Sequence, residues 1–132
     1  MLECLIIGDS IAVGTSIARP ECVAYVQGGI NSYQWFNKFV RQSPYIASTV
    51  IISLGSNDHN KINTESELRT IRQLTKADRV YWILPANKNN IADIVYKVAN
   101  QYHDRVVRIA EVSKDGVHPT GKGYKMIAEQ TK

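Results

Sequence analysis

The sequence is poor in cysteine, in long apolar runs and in blocks of like charge. Its two cysteines, Cys4 and Cys22, lack the CxxC spacing of a thiolate metal site or a dithiol redox centre. No apolar run approaches the roughly 18 residues that span a bilayer as a helix. No run of five or six lysines and arginines marks a nucleic-acid-binding tail. These absences argue against a thiolate metal protein, an integral membrane protein and a nucleic-acid-binding protein.

What is present is typical of a single globular domain covering residues 1–132. Hydrophobic residues make up 44% and charged residues 21% of the chain, and no repeat or low-complexity segment interrupts it. The net charge of +4 comes from scattered side chains, which we expect to solvate helix faces. Met1 leads almost directly into the first strand, so we expect no signal peptide and a cytoplasmic location, or a place within a larger protein.

The apolar pattern predicts five strands that alternate with helices. The third run, Thr49 to Leu54, is almost continuously apolar, as in a central strand buried on both faces of a parallel sheet. The other predicted strands are Glu3 to Ile7, Cys22 to Val26, Arg79 to Leu84 and Arg105 to Ile109. Such alternation predicts a three-layer α/β/α sandwich with a parallel sheet in the flavodoxin-like order 2-1-3-4-5.

Turn and cap residues predict where the helices begin. Ser32 and Asn90 are candidate N-caps, Thr64 with Glu67 resembles a capping box, and the last helix is expected from about Thr120. Both cysteines fall in strand-like runs, where free cysteine behaves as a small hydrophobe. A Cys4–Cys22 bridge is conceivable if the first two strands are neighbours, but we expect two buried thiols.

Chemically suitable side chains follow several of the predicted strands. Ser10 follows the first strand, Gly28-Gly29 the second, Asn57 the third, and Asp115 with His118 the fifth. Because the carboxyl ends of parallel strands share one edge of the sheet, these groups should meet in one crevice. His118 could act as general base for Ser10, with Asp115 orienting the imidazole. The Asn57 amide and the Ser10 and glycine N–H groups could stabilise an oxyanion.

Each of these groups also has an ordinary structural interpretation. Ser10 could be a helix N-cap, Asp115 a cap beside a surface histidine, and Asn57 and the glycine pair simple turn residues. The conjunction at successive strand ends favours the catalytic interpretation. His103 is expected at the surface near a helix end, and His59 at the rim of the crevice.

The four motif blocks resemble those of the SGNH hydrolase superfamily, the GDSL-type esterases. They read Gly8-Asp9-Ser10, Gly29, Gly55-Ser56-Asn57-Asp58 and Asp115-Gly116-Val117-His118-Pro119, and they span almost the whole chain. The resemblance implies a Ser10 nucleophile, a His118 base and its Asp115 partner. It also implies an oxyanion hole made by the Ser10 and Gly29 N–H groups and the Asn57 side chain.

The chain departs from the family pattern in three respects. Ile11 replaces the leucine of the GDSL name, a volume-conserving exchange. Gly28 or the Ser32 backbone could supply the N–H assigned to Gly29. The chain is also short for the family, which predicts a shallow, open site without a lid. Small chains of this type also occur in bacteriophage genomes.

We therefore expect a serine esterase that needs no metal or cofactor and hydrolyses small acyl esters, acetyl esters of carbohydrate above all. Asp9 and Asn87 are predicted substrate contacts, and the partner is a small-molecule or carbohydrate ester rather than nucleic acid or membrane. The alternative is a catalytically inert module that keeps this fold and binds a glycan or protein. A phosphate-binding protein is disfavoured, because the first turn lacks the glycines and lysine of a phosphate loop.

Overall fold

The apolar runs form one parallel sheet in the computed structural model, which describes residues 1–132. The strands are β1 (Leu2–Gly8), β2 (Val23–Val26), β3 (Tyr45–Ser53), β4 (Thr75–Lys76), β5 (Arg79–Ile83) and β6 (Arg105–Val107). The order is β2-β1-β3-β5-β6, and the two-residue β4 pairs with the start of β3. The predicted order 2-1-3-4-5 is confirmed, since β5 and β6 are the predicted fourth and fifth strands.

Helices cover both faces of the sheet, which confirms the three-layer architecture. They are α1 (Ser10–Ala18), α2 (Ser32–Phe39), α3 (Thr64–Gln73), α4 (Asn89–Gln101) and α5 (Gly121–Gln130), with a short 3-10 turn at Val40–Gln42. Successive strand residues point to opposite faces. Ile52 therefore joins the core under α2, α3 and α4, whereas Ile51 joins the core under α1 and α5. None of these helices combines the length and apolar character needed to cross a membrane.

Three helix starts differ from the predicted caps, and in α2 and α3 the preceding asparagine supplies the acceptor. Asn31, not Ser32, caps α2 and forms a reciprocal capping box with Gln34. Asn63, not Thr64, caps α3, and its side chain accepts the Ser66 N–H at 3.1 Å. The helix assigned to an Asn90 cap begins one residue earlier, at Asn89, and has no side-chain cap. The last helix, expected from about Thr120, begins at Gly121, and Thr120 is its N-cap.

Cys4 and Cys22 form a disulfide, so the expectation of two free thiols is wrong. Strands β1 and β2 are parallel neighbours with Leu5 opposite Val23. That register brings the Cα atoms of the two cysteines to 4.8 Å, within the range that a disulfide requires. The bridge ties the sheet's outer strand to β1 near the end of β1 that is remote from Ser10.

Candidate active site

Ser10 lies at the junction of β1 and α1, at the carboxyl edge of the sheet. Gly8 ends β1 at a φ of 144°, and a Cβ atom there would collide with the Ser53 carbonyl of β3. Asp9 then caps α1, because its Oδ1 accepts the Ile11 N–H at 3.0 Å and the Ser53 hydroxyl at 3.1 Å. Ser10 is therefore the first residue of α1 rather than its cap, and its N–H has no intrahelical acceptor.

The Asp9 carboxyl group is fully buried directly beside the candidate nucleophile. Its Oδ2 has no hydrogen-bond partner, and burial raises the pKa of Asp9 to about 6 despite the bonds from Ser53 and Ile11. Since none of Asp9 is accessible, it offers no surface to a substrate. We correct the predicted substrate contact at Asp9 to a structural role at the start of α1.

The side chains of Ser10, His118 and Asp115 form one hydrogen-bonded chain. Ser10 Oγ lies 2.7 Å from His118 Nε2, and His118 Nδ1 lies 2.7 Å from Asp115 Oδ2. Both separations are those of good hydrogen bonds. With the proton on Nδ1, Nε2 is free to accept the serine hydroxyl proton. Residues separated by more than 100 positions in sequence thus have the geometry of a nucleophile, a base and an orienting carboxylate.

Asp115 is well held although its side chain is half exposed. Oδ2 faces the imidazole, while Oδ1 accepts the N–H groups of Val117 and His118 and the Ser113 hydroxyl at 2.8–2.9 Å. The bond to His118 and these further donors keep the pKa of Asp115 well below its ordinary value. The ionised form required of an orienting carboxylate is therefore strongly favoured.

The loop that carries Asp115 and His118 is closed by its own backbone bonds. The Ser113 N–H donates to the His118 carbonyl at 2.8 Å, and the Gly116 N–H donates to the Ser113 carbonyl at 3.0 Å. An isolated bridge between Val112 and Pro119 joins the two ends of the loop. These bonds fix the imidazole against α1 without a covering lid.

Unpaired donors lie in the loops that follow β2 and β3. The N–H groups of Gly28 and Gly29 donate to no protein acceptor, and Gly29 has a φ of 76°, which favours glycine. A Cβ on Gly28 would lie 3.9 Å from Ser10 Cβ, so this backbone runs close to the serine. Asn57 donates one amide hydrogen to the Ile30 carbonyl at 3.0 Å and has a second one available. These groups are suitable donors for an oxyanion.

The Ser32 backbone is not available as an oxyanion donor. Its N–H donates to Asp58 Oδ1 at 2.8 Å, and its hydroxyl donates to Asp58 Oδ2 at 2.6 Å. Oδ2 also accepts the Thr64 hydroxyl at 2.8 Å. The buried Asp58 therefore links the loop after β3 to the starts of α2 and α3, and it fixes both sides of the Asn57–Ile30 contact. Sequence reasoning gave Asp58 no role, although it is the last residue of the Gly55-Ser56-Asn57-Asp58 block.

The remaining predicted residues make no hydrogen bond with Ser10. Asn87 is exposed on the same edge, where its amide donates weakly to the Ser56 carbonyl at 3.4 Å. His59 is exposed in the loop after β3, and His103 follows α4 at a φ of 57°. One group of potential metal ligands combines Glu21 with Cys4 and Cys22, but the disulfide occupies both sulfur atoms.

No protein-family model matches this sequence, and no curated protein matches it either. Among solved structures, a candidate acylhydrolase from Bacteroides fragilis superposes with a TM-score of 0.72 at 19% identity. That match covers 97% of this chain and 83% of the other. Proteins described as GDSL-like lipases superpose with TM-scores of 0.64 and 0.63 over at least 97% of this chain. The chain has the fold of the GDSL-type hydrolases.

Two further matching structures are of proteins whose descriptions name an acetylated polymer or an acetyl-transfer activity. One is the catalytic domain of peptidoglycan O-acetyltransferase A from Streptococcus pneumoniae, at a TM-score of 0.64 and 19% identity, covering 96% of this chain and 88% of that one. The other is an acetyl xylan esterase from Butyrivibrio proteoclasticus, with a TM-score of 0.58 and 13% sequence identity. That match covers 97% of this chain and 62% of the esterase chain. At these identities the likeness establishes the fold, and the chemistry must be argued from this chain's own residues.

Proposed function

We propose that this protein is a serine esterase that hydrolyses small acyl esters through Ser10, His118 and Asp115. The observation that carries the proposal is the hydrogen-bonded chain from Ser10 Oγ through the imidazole to Asp115, with 2.7 Å at both links. The same three residue types would be a coincidence in an inert module, where nothing requires a base within reach of a serine at the carboxyl edge of the sheet.

In the acylation step, Ser10 Oγ attacks the ester carbonyl carbon while its proton moves to His118 Nε2. Asp115 stabilises the resulting imidazolium and holds the Nδ1 proton. The negative charge that develops on the carbonyl oxygen is stabilised by the N–H groups of Ser10 and Gly29 and by the free Asn57 amide hydrogen. His118 then returns the proton to the leaving alcohol, and the acyl group remains on Ser10.

In the deacylation step, water takes the place of the alcohol. His118 Nε2 removes one water proton, the hydroxide oxygen attacks the acyl carbon, and the second tetrahedral intermediate uses the same oxyanion donors. Its collapse releases the carboxylic acid and restores the Ser10 hydroxyl. Each step uses a donor or acceptor already oriented by Asp9, Asp58 or Asp115, so little reorganisation is needed.

We further propose acetyl esters on carbohydrate as the substrate class. None of the five main cavities is lined by Ser10, and the His118 and Asp115 side chains are 40% and 49% exposed. A small acyl group and a polar, bulky alcohol suit such an open edge. The acetyl-group activity named for two structures of the same fold is consistent with this class.

Covalent labelling tests the nucleophile directly. A small fluorophosphonate should label wild-type protein at Ser10, and mass spectrometry of a digest should locate the adduct there. Ser10→Ala should not be labelled. Ser16→Ala is the matched control, because Ser16 lies on the same helix but bonds only to the Val13 carbonyl. Absence of Ser10 labelling in the wild type would favour the inert glycan- or protein-binding module instead.

A further inference from the structure

A broad groove is lined by Asp58, the residue that follows the candidate oxyanion donor Asn57, and by the loop that continues from it. It encloses about 860 Å³ between the loop that follows Asp58 and the first turns of α4. Lys88 Nζ donates to the Asp58 carbonyl at 2.6 Å and holds the start of α4 against this loop. A Cβ on Gly55 would collide with Ile91, so the two walls also pack closely below the groove. We call this hollow, between residues 58–65 and 88–94, the outer groove.

The lining of the outer groove is polar with a small apolar floor. Only 3 of its 12 lining residues are hydrophobic, and among them Ile91 and Ile94 project from α4. The side chains of Asn60, Lys61 and Asn90 are exposed and make no hydrogen bond within the protein. Side-chain amides can both donate and accept, which matches the hydroxyl groups of a sugar, while the half-buried Ile94 can contact its C–H face.

The two carboxylates that line the outer groove, Asp58 and Glu65, are both held by donors of the protein. Asp58 is buried and accepts bonds from Ser32 and Thr64. The Glu65 carboxylate forms ion pairs with Arg69 Nη2 at 2.8 Å and with Lys97 Nζ at 3.1 Å. The lining also carries the cationic side chains of Lys61 and Lys88.

A second hollow, of about 550 Å³, continues the surface on the far side of the same loop. The two hollows share His59, Lys61, Ile62 and Asn63, and the second one is bordered by Tyr33. The Tyr33 ring is 55% exposed at the start of α2. An exposed aromatic ring beside polar side chains is the usual stacking surface for a sugar ring. The two hollows thus form one continuous surface around the loop of residues 59–63.

We propose that the outer groove binds the sugar chain on the alcohol side of the scissile ester. The inference rests on the proposed esterase activity and adds to it the residues that recognise the substrate. A one-residue acetylated sugar would occupy only the Ser10 edge. Each additional sugar would contact Asn60 and Asn90 and then the loop of residues 61–63. Longer sugar chains should therefore be better substrates.

The test compares a ladder of acetylated xylo-oligosaccharides, from one to four sugars, with p-nitrophenyl acetate. In the wild type, kcat/KM should rise about tenfold or more along the ladder, mainly through a falling KM. Asn60→Ala with Asn90→Ala should flatten the rise and leave p-nitrophenyl acetate hydrolysis unchanged. Asn100→Ala is the matched control, because Asn100 is exposed at the opposite end of α4. Circular dichroism melting checks that each variant is folded.

The outcomes separate this inference from the proposed function. No hydrolysis of p-nitrophenyl acetate and no Ser10 labelling would remove the esterase itself. Hydrolysis of p-nitrophenyl acetate with no gain from one to four sugars would overturn the groove proposal and leave the esterase intact. A ladder that rises equally in the wild type and the Asn60/Asn90 variant would also overturn it.

Discussion

Replacing Asp9 with asparagine should raise the stability of the protein relative to the wild type as the pH increases from acidic to neutral. The Asp9 carboxyl is fully buried, and its Oδ2 has no partner, whereas Oδ1 accepts Ile11 N–H and the Ser53 hydroxyl. Asparagine has nearly the same shape. Its carbonyl oxygen can keep both Oδ1 bonds, and its NH₂ group replaces the unpartnered oxygen. The exchange removes a buried charge, and the cost of leaving the new NH₂ donors without an acceptor is the same at every pH.

The magnitude follows from the pKa of Asp9, which burial raises from 3.8 to about 6. The folded state holds the proton more tightly than the unfolded state, so the stability contributed by Asp9 is greatest at low pH. It falls as pH rises from about 4 through 6 and then levels off. Two pKa units correspond to about 3 kcal/mol. The stability of Asp9→Asn relative to the wild type should therefore increase by about 2 kcal/mol between pH 4.5 and pH 8.

The assay is urea unfolding of both proteins at several pH values, followed by circular dichroism. Taking the difference at each pH cancels the other titrating groups, including Asp115. Asp93→Asn is the matched control, since Asp93 is exposed on α4 and has no hydrogen-bond partner. A constant Asp9→Asn difference, or one that decreases with pH, would refute the reasoning from burial.

Three further predictions follow from the other anchoring contacts. Asp115→Asn should lower kcat/KM for p-nitrophenyl acetate about 100-fold or more, because His118 loses the acceptor that fixes its Nδ1 proton. Replacing both Cys4 and Cys22 by serine removes the disulfide that closes a loop across 18 residues of the unfolded chain. The free energy of unfolding should therefore fall by about 3 kcal/mol, with kcat unchanged. Asp58→Ala should destabilise the fold by about 3 kcal/mol in urea unfolding and also reduce kcat, because buried donors of two helix starts lose their acceptor.

Each of these predictions has its own contradicting result. A kcat/KM within a few-fold of wild type would mean that Asp115 does not orient the base. Unchanged stability after reduction by dithiothreitol would mean that the bridge does not constrain the unfolded chain. A stable Asp58→Ala protein with normal kcat would mean that the Asn57 loop is held by other contacts.

The sheet could be predicted from the sequence because each strand is a short apolar run that ends at a turn signal. β3 was the clearest for this reason, although it begins at Tyr45, four residues before the predicted Thr49. The added residues carry mixed polarity, and pairing of Tyr45 with Thr75 of β4 decides their conformation. That pairing partner lies 30 residues away and leaves no periodic pattern in the local sequence.

The site residues could be proposed from their positions at strand ends, but their accessibility could not. Asp9 was expected to contact substrate because it adjoins Ser10, yet the Ser53 contact and the start of α1 bury it completely. The anchoring role of Asp58 could not be predicted, because its hydrogen-bond donors Ser32 and Thr64 come from two different helices. The disulfide was judged less favourable than free thiols because the register of β1 and β2 is a tertiary property.

The most direct test of the account is kcat/KM for p-nitrophenyl acetate in wild-type protein, Ser10→Ala and His118→Ala. His103→Asn is the control, because asparagine tolerates the positive φ found at that position. We predict turnover in the wild type and the control, with a loss of about 1000-fold or more in both active-site variants. Wild-type activity no higher than that of Ser10→Ala would contradict the central claim that Ser10 is an activated nucleophile.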